Sequence, residues 1–175
     1  GIVTSNNRAA HLFKKEEWDR QYTHGRWDYL RTIGEAAHYG VILSYLYTYT
    51  LGHPHRILDV GCGEGLLHAM LDPQRYGQYV GIDVSSEAIS RLNSRMDART
   101  AFICADARTY KVPNNEQFDT IIFNESLYYF EDPLGVVRHY AQQLAPNGAL
   151  IVSMYAEDQT RRIWRMLDGV YRVED

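Results

Sequence analysis

The sequence predicts an α/β fold: a doubly wound, mainly parallel sheet preceded by an N-terminal helical cap. Three observations predict it. Two short apolar runs, residues 57–60 and 79–82, carry an acid at or near their end, Asp59 and Asp83. Three glycines, Gly61, Gly63 and Gly65, follow the first run at alternate positions and lead into an apolar, helix-like segment. From there strand-like and helix-like stretches alternate. Regular alternation of this kind means parallel strands with helices on both faces, and ligands at the carboxyl ends of the strands.

Each element has its own signal. Residues 1–7 read as a tail, and residues 8–22 as a helix with mixed faces from Leu12, Phe13, Glu16, Glu17 and Trp18. Gly25 breaks it. A second helix over 28–50 places Leu30, Ile33, Ala37, Val41, Tyr45 and Tyr49 near helical spacing, and Gly52, His53 and Pro54 end it. Strands are expected at 56–60, 78–82, 100–104, 118–123 and 148–154. The helices between and after them are expected at 65–71, 86–96, 126–129 with 133–144, and 158–167. Ser85 to Glu87, and Glu157 with Asp158, are helix-start signals. No linker is visible, so the 175 residues divide into a cap, 1–52, and a core, 53–175, within one structural domain.

Composition narrows the partners. A formal charge of −4 argues against nucleic acid, which needs a basic face. The apolar-looking run 41–51 is interrupted by Ser, Thr and Tyr and is too short to span a membrane. Cys62 and Cys104 are expected to be packed free thiols in a reducing, cytoplasmic setting. The seven histidines show no zinc-like spacing, so no metal is expected. His53, His55 and His139 read as surface residues, while His24 and His38 lie in the cap within possible reach of a cleft. Arg161, Arg162 and Arg165 read as a solvated face.

The glycine stretch carries the chemistry. Glycine admits positive φ and lets a ligand approach without a Cβ in the way. The helix that follows points free N–H groups over the loop. A dinucleotide fingerprint has G-x-G-x-x-G, whereas this chain has G-x-G-x-G. Asp83 lies 83 − 63 = 20 residues after Gly63, where a carboxylate can accept both ribose hydroxyls. That last feature is shared with NAD-binding proteins.

Asp59 with Gly61, Gly63 and Gly65 resembles the first motif of class I, seven-strand S-adenosylmethionine-dependent methyltransferases. Four further stretches extend the resemblance in order: the acid at Asp83; Cys104, Ala105, Asp106 and Ala107; Phe118 and Asp119 with the strand to Asn124 and Glu125; and Leu144 to Leu150 around Pro146 and Gly148. Together they cover residues 57–154. The resemblance implies a Rossmann-like methyltransferase fold with S-adenosylmethionine as cofactor and S-adenosylhomocysteine as product.

It also implies roles. Gly61, Cys62, Gly63 and their loop would hold the methionine part of the cofactor. Asp59 would either contact it or orient loop amides. Asp83 would take the ribose, Val84 would pack on the adenine, and Asp106 with Ala107 would bracket the adenine edge. Asn124 would face the sulfonium and the incoming nucleophile. Cap helices in the family often close over the cofactor, so Trp18 is expected in a seam against the sheet and Tyr22 or Trp27 near the cofactor.

A methyl group leaving a sulfonium generates a neutral product, so positioning matters more than charge stabilisation. A base is needed only if the acceptor must lose a proton. Glu125, with Tyr128 or Tyr129, supplies the candidates. The stretch Asn124 to Tyr129 departs from the Asp/Asn-Pro-Pro-Tyr pattern of nucleobase and amide-nitrogen methyltransferases. It looks more like small-molecule methyltransferases acting on oxygen or nitrogen. The alternatives are a non-catalytic cofactor-binding regulatory protein and, from another class, an NAD-dependent oxidoreductase.

The family's sheet has seven strands and this sequence supplies five. The expectation is therefore that roughly 30–60 further residues complete the sheet, with Val170, Tyr171 and Val173 beginning a sixth strand, or that a homodimer covers the fifth.

Overall fold

A computed structural model describes residues 15–24, 33–49 and 55–173. Two helices come first, α1 (Lys15–Thr23) and α2 (Ile33–Tyr49). The sheet strands are β1 (His55–Val60), β2 (Tyr76–Asp83), β3 (Thr100–Cys104), β4 (Phe118–Asn124) and β5 (Leu144–Ser153). Between and after them lie α3 (Leu66–Met70), α4 (Ser86–Ser90), α5 (Pro133–Ala141) and α6 (Asp158–Asp168). All neighbouring strands are parallel, in the order β3-β2-β1-β4-β5. The order reverses between β1 and β4, so a crevice opens at their carboxyl ends. The doubly wound sheet matches the sequence reading.

The strands are apolar on both faces because both faces are covered. Ile57, Tyr79, Phe102, Ile122 and Ile151 pack with Ile42, Leu43 and Leu46 of α2, Leu67 of α3 and Ile89 of α4. Leu58, Val60, Val80, Ile82, Ile121 and Phe123 pack on the other face with Val136, Val137 and Tyr140 of α5 and Ile163 and Leu167 of α6. Leu58, Ile121, Ile122 and Phe123 are fully buried. The α2 helix shares a core with the sheet.

Some expectations need correction. The helix expected over 86–96 stops at Ser90 and continues as a separate 3-10 turn, Asn93–Arg95. The bend sends Ile89 and Leu92 into the core together. β5 begins at Leu144, four residues early, because Leu144 pairs with Phe118 before the register shifts and Ala149 pairs with Thr120. Asn147 takes a positive φ of 64° within that irregularity. Val170, Tyr171 and Val173 do not form a strand; they follow the end of α6 as turn and irregular chain. His55 is not a surface residue: it is 1% exposed and its Nε2 meets Thr120 Oγ1 at 2.6 Å. His139 is half-buried and bonds the Tyr110 carbonyl at 2.9 Å. Cys62 is buried as expected, but Cys104 is exposed, since it ends the edge strand β3. The tail, the start of the first helix and Gly25, Trp27, His53 and Pro54 lie outside the described residues.

Candidate functional site

The glycine loop joins β1 to α3. Gly61, Gly63 and Gly65 have φ of 84°, 54° and 67°, values that L side chains adopt only with strain. A Cβ at Gly61 would stand 2.8 Å from Ser126 Cβ, and one at Gly63 2.6 Å from the Tyr22 hydroxyl. Gly61 and Cys62 both donate their N–H to the Ile82 carbonyl, at 2.8 and 3.0 Å. The loop therefore folds back on β2. There the Asp83 carboxylate accepts from Gly63 N–H and from Ser85 N–H, both at 2.9 Å. Burial pushes the Asp83 carboxyl up, and these two bonds work against that push.

Asp59 lies below the loop and is 1% exposed. Tyr79 donates its hydroxyl to one carboxylate oxygen at 2.6 Å. The other oxygen, Oδ1, is buried without a hydrogen-bond partner among the described residues. Burial is the main reason the Asp59 carboxyl is pushed up to about 7; Tyr79 counters it in part and Asp83 adds to it. Asp59 borders the cleft, and its unpartnered oxygen leaves an acceptor for a cationic or N–H group.

A single cleft brings these residues together. Its lining includes Asp59, Gly61, Cys62 and Gly63 at one end, Asp83, Val84, Asp106 and Ala107 along one side, and Asn124, Glu125 and Tyr128 at the other end. Tyr22 of α1 is 8% exposed and also lines it. All the sequence-predicted site residues converge there except Trp27, which lies outside the described residues. Asp106 is engaged by Arg108, whose Nη2 stands 2.5 Å from Oδ2. That pairing outweighs burial, which pushes the other way, and holds the Asp106 carboxyl below the usual range.

At the far end the backbone of Glu125 takes a φ of 51°. Its N–H donates to the Ser153 carbonyl at 3.0 Å. The turned backbone brings its carboxylate to two donors, Tyr155 N–H at 2.9 Å and the Tyr128 hydroxyl at 3.1 Å, with Ser153 Oγ 3.2 Å away. Burial, with the neighbouring Tyr129 and Glu125, pushes the Tyr128 phenol well above its ordinary value, so it serves as a donor.

The cap contributes more than expected. Trp18 lines the cleft and is not confined to a seam; its ring meets Tyr129 edge-on at 4.9 Å. Asp19 crosses to the start of α4, accepting from the Ser85 hydroxyl at 2.6 Å and Glu87 N–H at 3.0 Å. Burial opposes its charge, but these bonds and one from Lys15 outweigh it and hold the carboxyl below the usual range. His38 of α2 enters the cleft beside Asn124, whereas His24 is exposed and turns back to the Arg20 carbonyl. The sequence reading already put His38 within reach of a cleft, but nothing local marks Asp19 or the cleft position of Trp18, because their reach depends on how α1 docks.

A family model described as "Methyltransferase domain" matches residues 35–172. The chain belongs to this methyltransferase-domain family. The cofactor of such a domain is S-adenosylmethionine, and several of the solved structures it resembles hold S-adenosylhomocysteine. The 27-O-demethylrifamycin SV methyltransferase of Amycolatopsis mediterranei is 30% identical over 138 residues, 76% of this chain and 50% of the relative. An uncharacterized methyltransferase of Mycobacterium tuberculosis is 29% identical over 116 residues, 65% of this chain and 58% of the relative. The domain thus spans about half the length of the curated relatives it matches. Among solved structures, the N-methyltransferase NodS from Bradyrhizobium japonicum with S-adenosyl-L-homocysteine aligns at a TM-score of 0.68 and 25% identity, over 86% of this chain and 77% of that one. The [4+2]-cyclase SpnF aligns at 0.55 and 29%, over 64% and 43%. No helix among the described residues is long and apolar enough to cross a membrane, and no metal-ligating cluster stands among them.

Proposed function

We propose that this domain transfers a methyl group from S-adenosylmethionine to oxygen or nitrogen of a small molecule. The observation that carries the reading is the continuity of one cleft from the glycine loop to Asn124 and Glu125. Gly61, Cys62, Gly63 and the orphaned oxygen of Asp59 would hold the methionine part. Asp83 would accept from the ribose, using lone pairs its two backbone donors leave free. Val84, Asp106 and Ala107 would enclose the adenine, with Tyr22 closing over the loop. When bound, the cofactor supplies an electrophilic methyl on a sulfonium. The chain's own part is to bind, orient and exclude water.

A small acceptor suits the far end, where Trp18, Tyr128, Tyr129, Phe130 and Tyr155 make an aromatic wall. Nucleic acid does not suit it: the net charge is −4, and the cleft carries Glu64, Asp83, Asp106 and Glu125. The reading includes a cytoplasmic setting. It also includes a possible homodimer across β5, which has a neighbour on one side only among the described residues. Light scattering checks the latter.

Calorimetric titration with S-adenosylhomocysteine and with NADH tests the cofactor. Binding of the first and not the second is expected; no binding of the first overturns the reading. A labelled-methyl screen across metabolite classes tests catalysis. The likeness to a cyclase makes that screen necessary, since cofactor binding without transfer would favour a non-methylating role.

A further inference from the structure

We propose that His38 takes the proton from an acceptor hydroxyl, with Asn124, Glu125 and Ser153 holding its ring. The inference rests on the methyl-transfer reading and deepens it to hydroxyl acceptors. His38 Nε2 stands 2.8 Å from Asn124 Oδ1 and 3.6 Å from Glu125 Oε1. Both are acceptors, so Nε2 carries the hydrogen and donates it. Ser153 Oγ, 3.2 Å from Nε2, donates to Asn124 Oδ1 at 2.7 Å and completes the group. The ring is stacked on Tyr155, at 6.5 Å and 11°, and meets Tyr39 edge-on.

With Nε2 so engaged, Nδ1 is the basic nitrogen, and no hydrogen-bond partner stands at it among the described residues. This is the arrangement in which a second group fixes the tautomer of a base. Glu125 is the less suitable proton acceptor. Its carboxylate already receives two donors, Tyr155 N–H and the Tyr128 hydroxyl beside it. Its place near Nε2 suits it to stabilise an imidazolium. Glu125 is then a positioning residue and His38 the catalytic one.

The proton balance points to a hydroxyl. An amine sheds its proton to water before entering and attacks as the neutral base, whereas an alcohol or phenol attacks well only if its proton is taken in the site. The O–H proton passes to Nδ1, and its electron pair forms the new O–CH3 bond. The methyl carbon–sulfur bond breaks with its pair left on sulfur. The imidazolium later returns its proton to water.

Three measurements test the proposal. Long-range 1H–15N spectra of the cofactor-free protein should show a histidine in the Nε2–H form whose signals vanish in His38→Asn; an Nδ1–H form overturns the assignment. Calorimetry should give S-adenosylhomocysteine affinities within about twofold for wild type, His38→Asn and His38→Ala, while transfer to a panel of phenols and alcohols falls about 10²–10⁴-fold in both variants. Imidazole should restore part of the His38→Ala activity. Undiminished activity, loss without rescue, or transfer to an amine panel alone overturns the inference. Failure of the wild type to bind S-adenosylhomocysteine overturns instead the reading on which it rests.

Discussion

Tyr79 holds Asp59 from the neighbouring strand, hydroxyl to carboxylate, with both residues buried under the glycine loop. The pair leaves one carboxylate oxygen without a partner, and burial pushes the carboxyl up to about 7. Unfolded, the group titrates near 4. Between about pH 4 and 7 the folded chain therefore holds a proton that the unfolded chain has released. The contribution of Asp59 to stability is full below about pH 4 and declines as pH rises to about 7. The change amounts to about 2–4 kcal/mol. Asp59→Asn cannot ionise and keeps an acceptor for Tyr79. Urea denaturation of both proteins across this range should give stability curves that diverge, with wild type losing more as pH rises. Parallel curves would show that Asp59 titrates no higher in the fold than in the unfolded chain.

Gly63 and Tyr22 are expected to be coupled. Gly63→Ala sets a Cβ into positive φ and against the Tyr22 hydroxyl. It should destabilise the domain by about 1–2 kcal/mol. Tyr22→Phe removes the contacting oxygen, so the double variant should recover part of that loss. The coupling should reach at least about 0.5 kcal/mol in a double-mutant cycle of denaturation energies. Strict additivity would mean that Tyr22 does not lie over the loop in solution.

Asp83→Asn tests the ribose contact. The amide keeps the volume and one acceptor but loses the charge and a lone-pair face that Gly63 and Ser85 use. S-adenosylhomocysteine affinity should fall by about 1.5–3 kcal/mol. Unchanged affinity by calorimetry would place the ribose elsewhere.

Asp19→Ala removes three acceptor contacts at the start of α4, from the Ser85 and Ser86 hydroxyls and Glu87 N–H. Stability should fall by about 1 kcal/mol. Amide exchange in α1 should accelerate more than exchange in β1. Equal protection of α1 in both proteins would show that the crossing contributes nothing to its docking.

Much of this was legible from residue types alone. The glycines announce the loop because only glycine takes those φ values cheaply, and Asp83 announces itself by following a strand at a spacing that sheet geometry dictates. The register of β5 was not legible, because the irregularity at Asn147 depends on Leu144 meeting Phe118. His55 sits beside Pro54 like a loop residue, yet the pairing of β1 with β4 buries it against Thr120. His38 and Trp18 gain their places from helix docking, which no local pattern encodes.

The crossing of Asp19 to Ser85 bears on where the working unit starts. Ser85 touches Asp83, and Asp83 touches Gly63, so the loop is strung to α1 through three side chains. The stretch that identifies the family begins at residue 35, after α1 has ended. A fragment cut at that boundary would keep every recognisable motif. It would also lose the Asp19 contacts at the first turn of α4 and leave Gly63 uncovered, so the segment that diagnoses the family is shorter than the segment that builds the cleft.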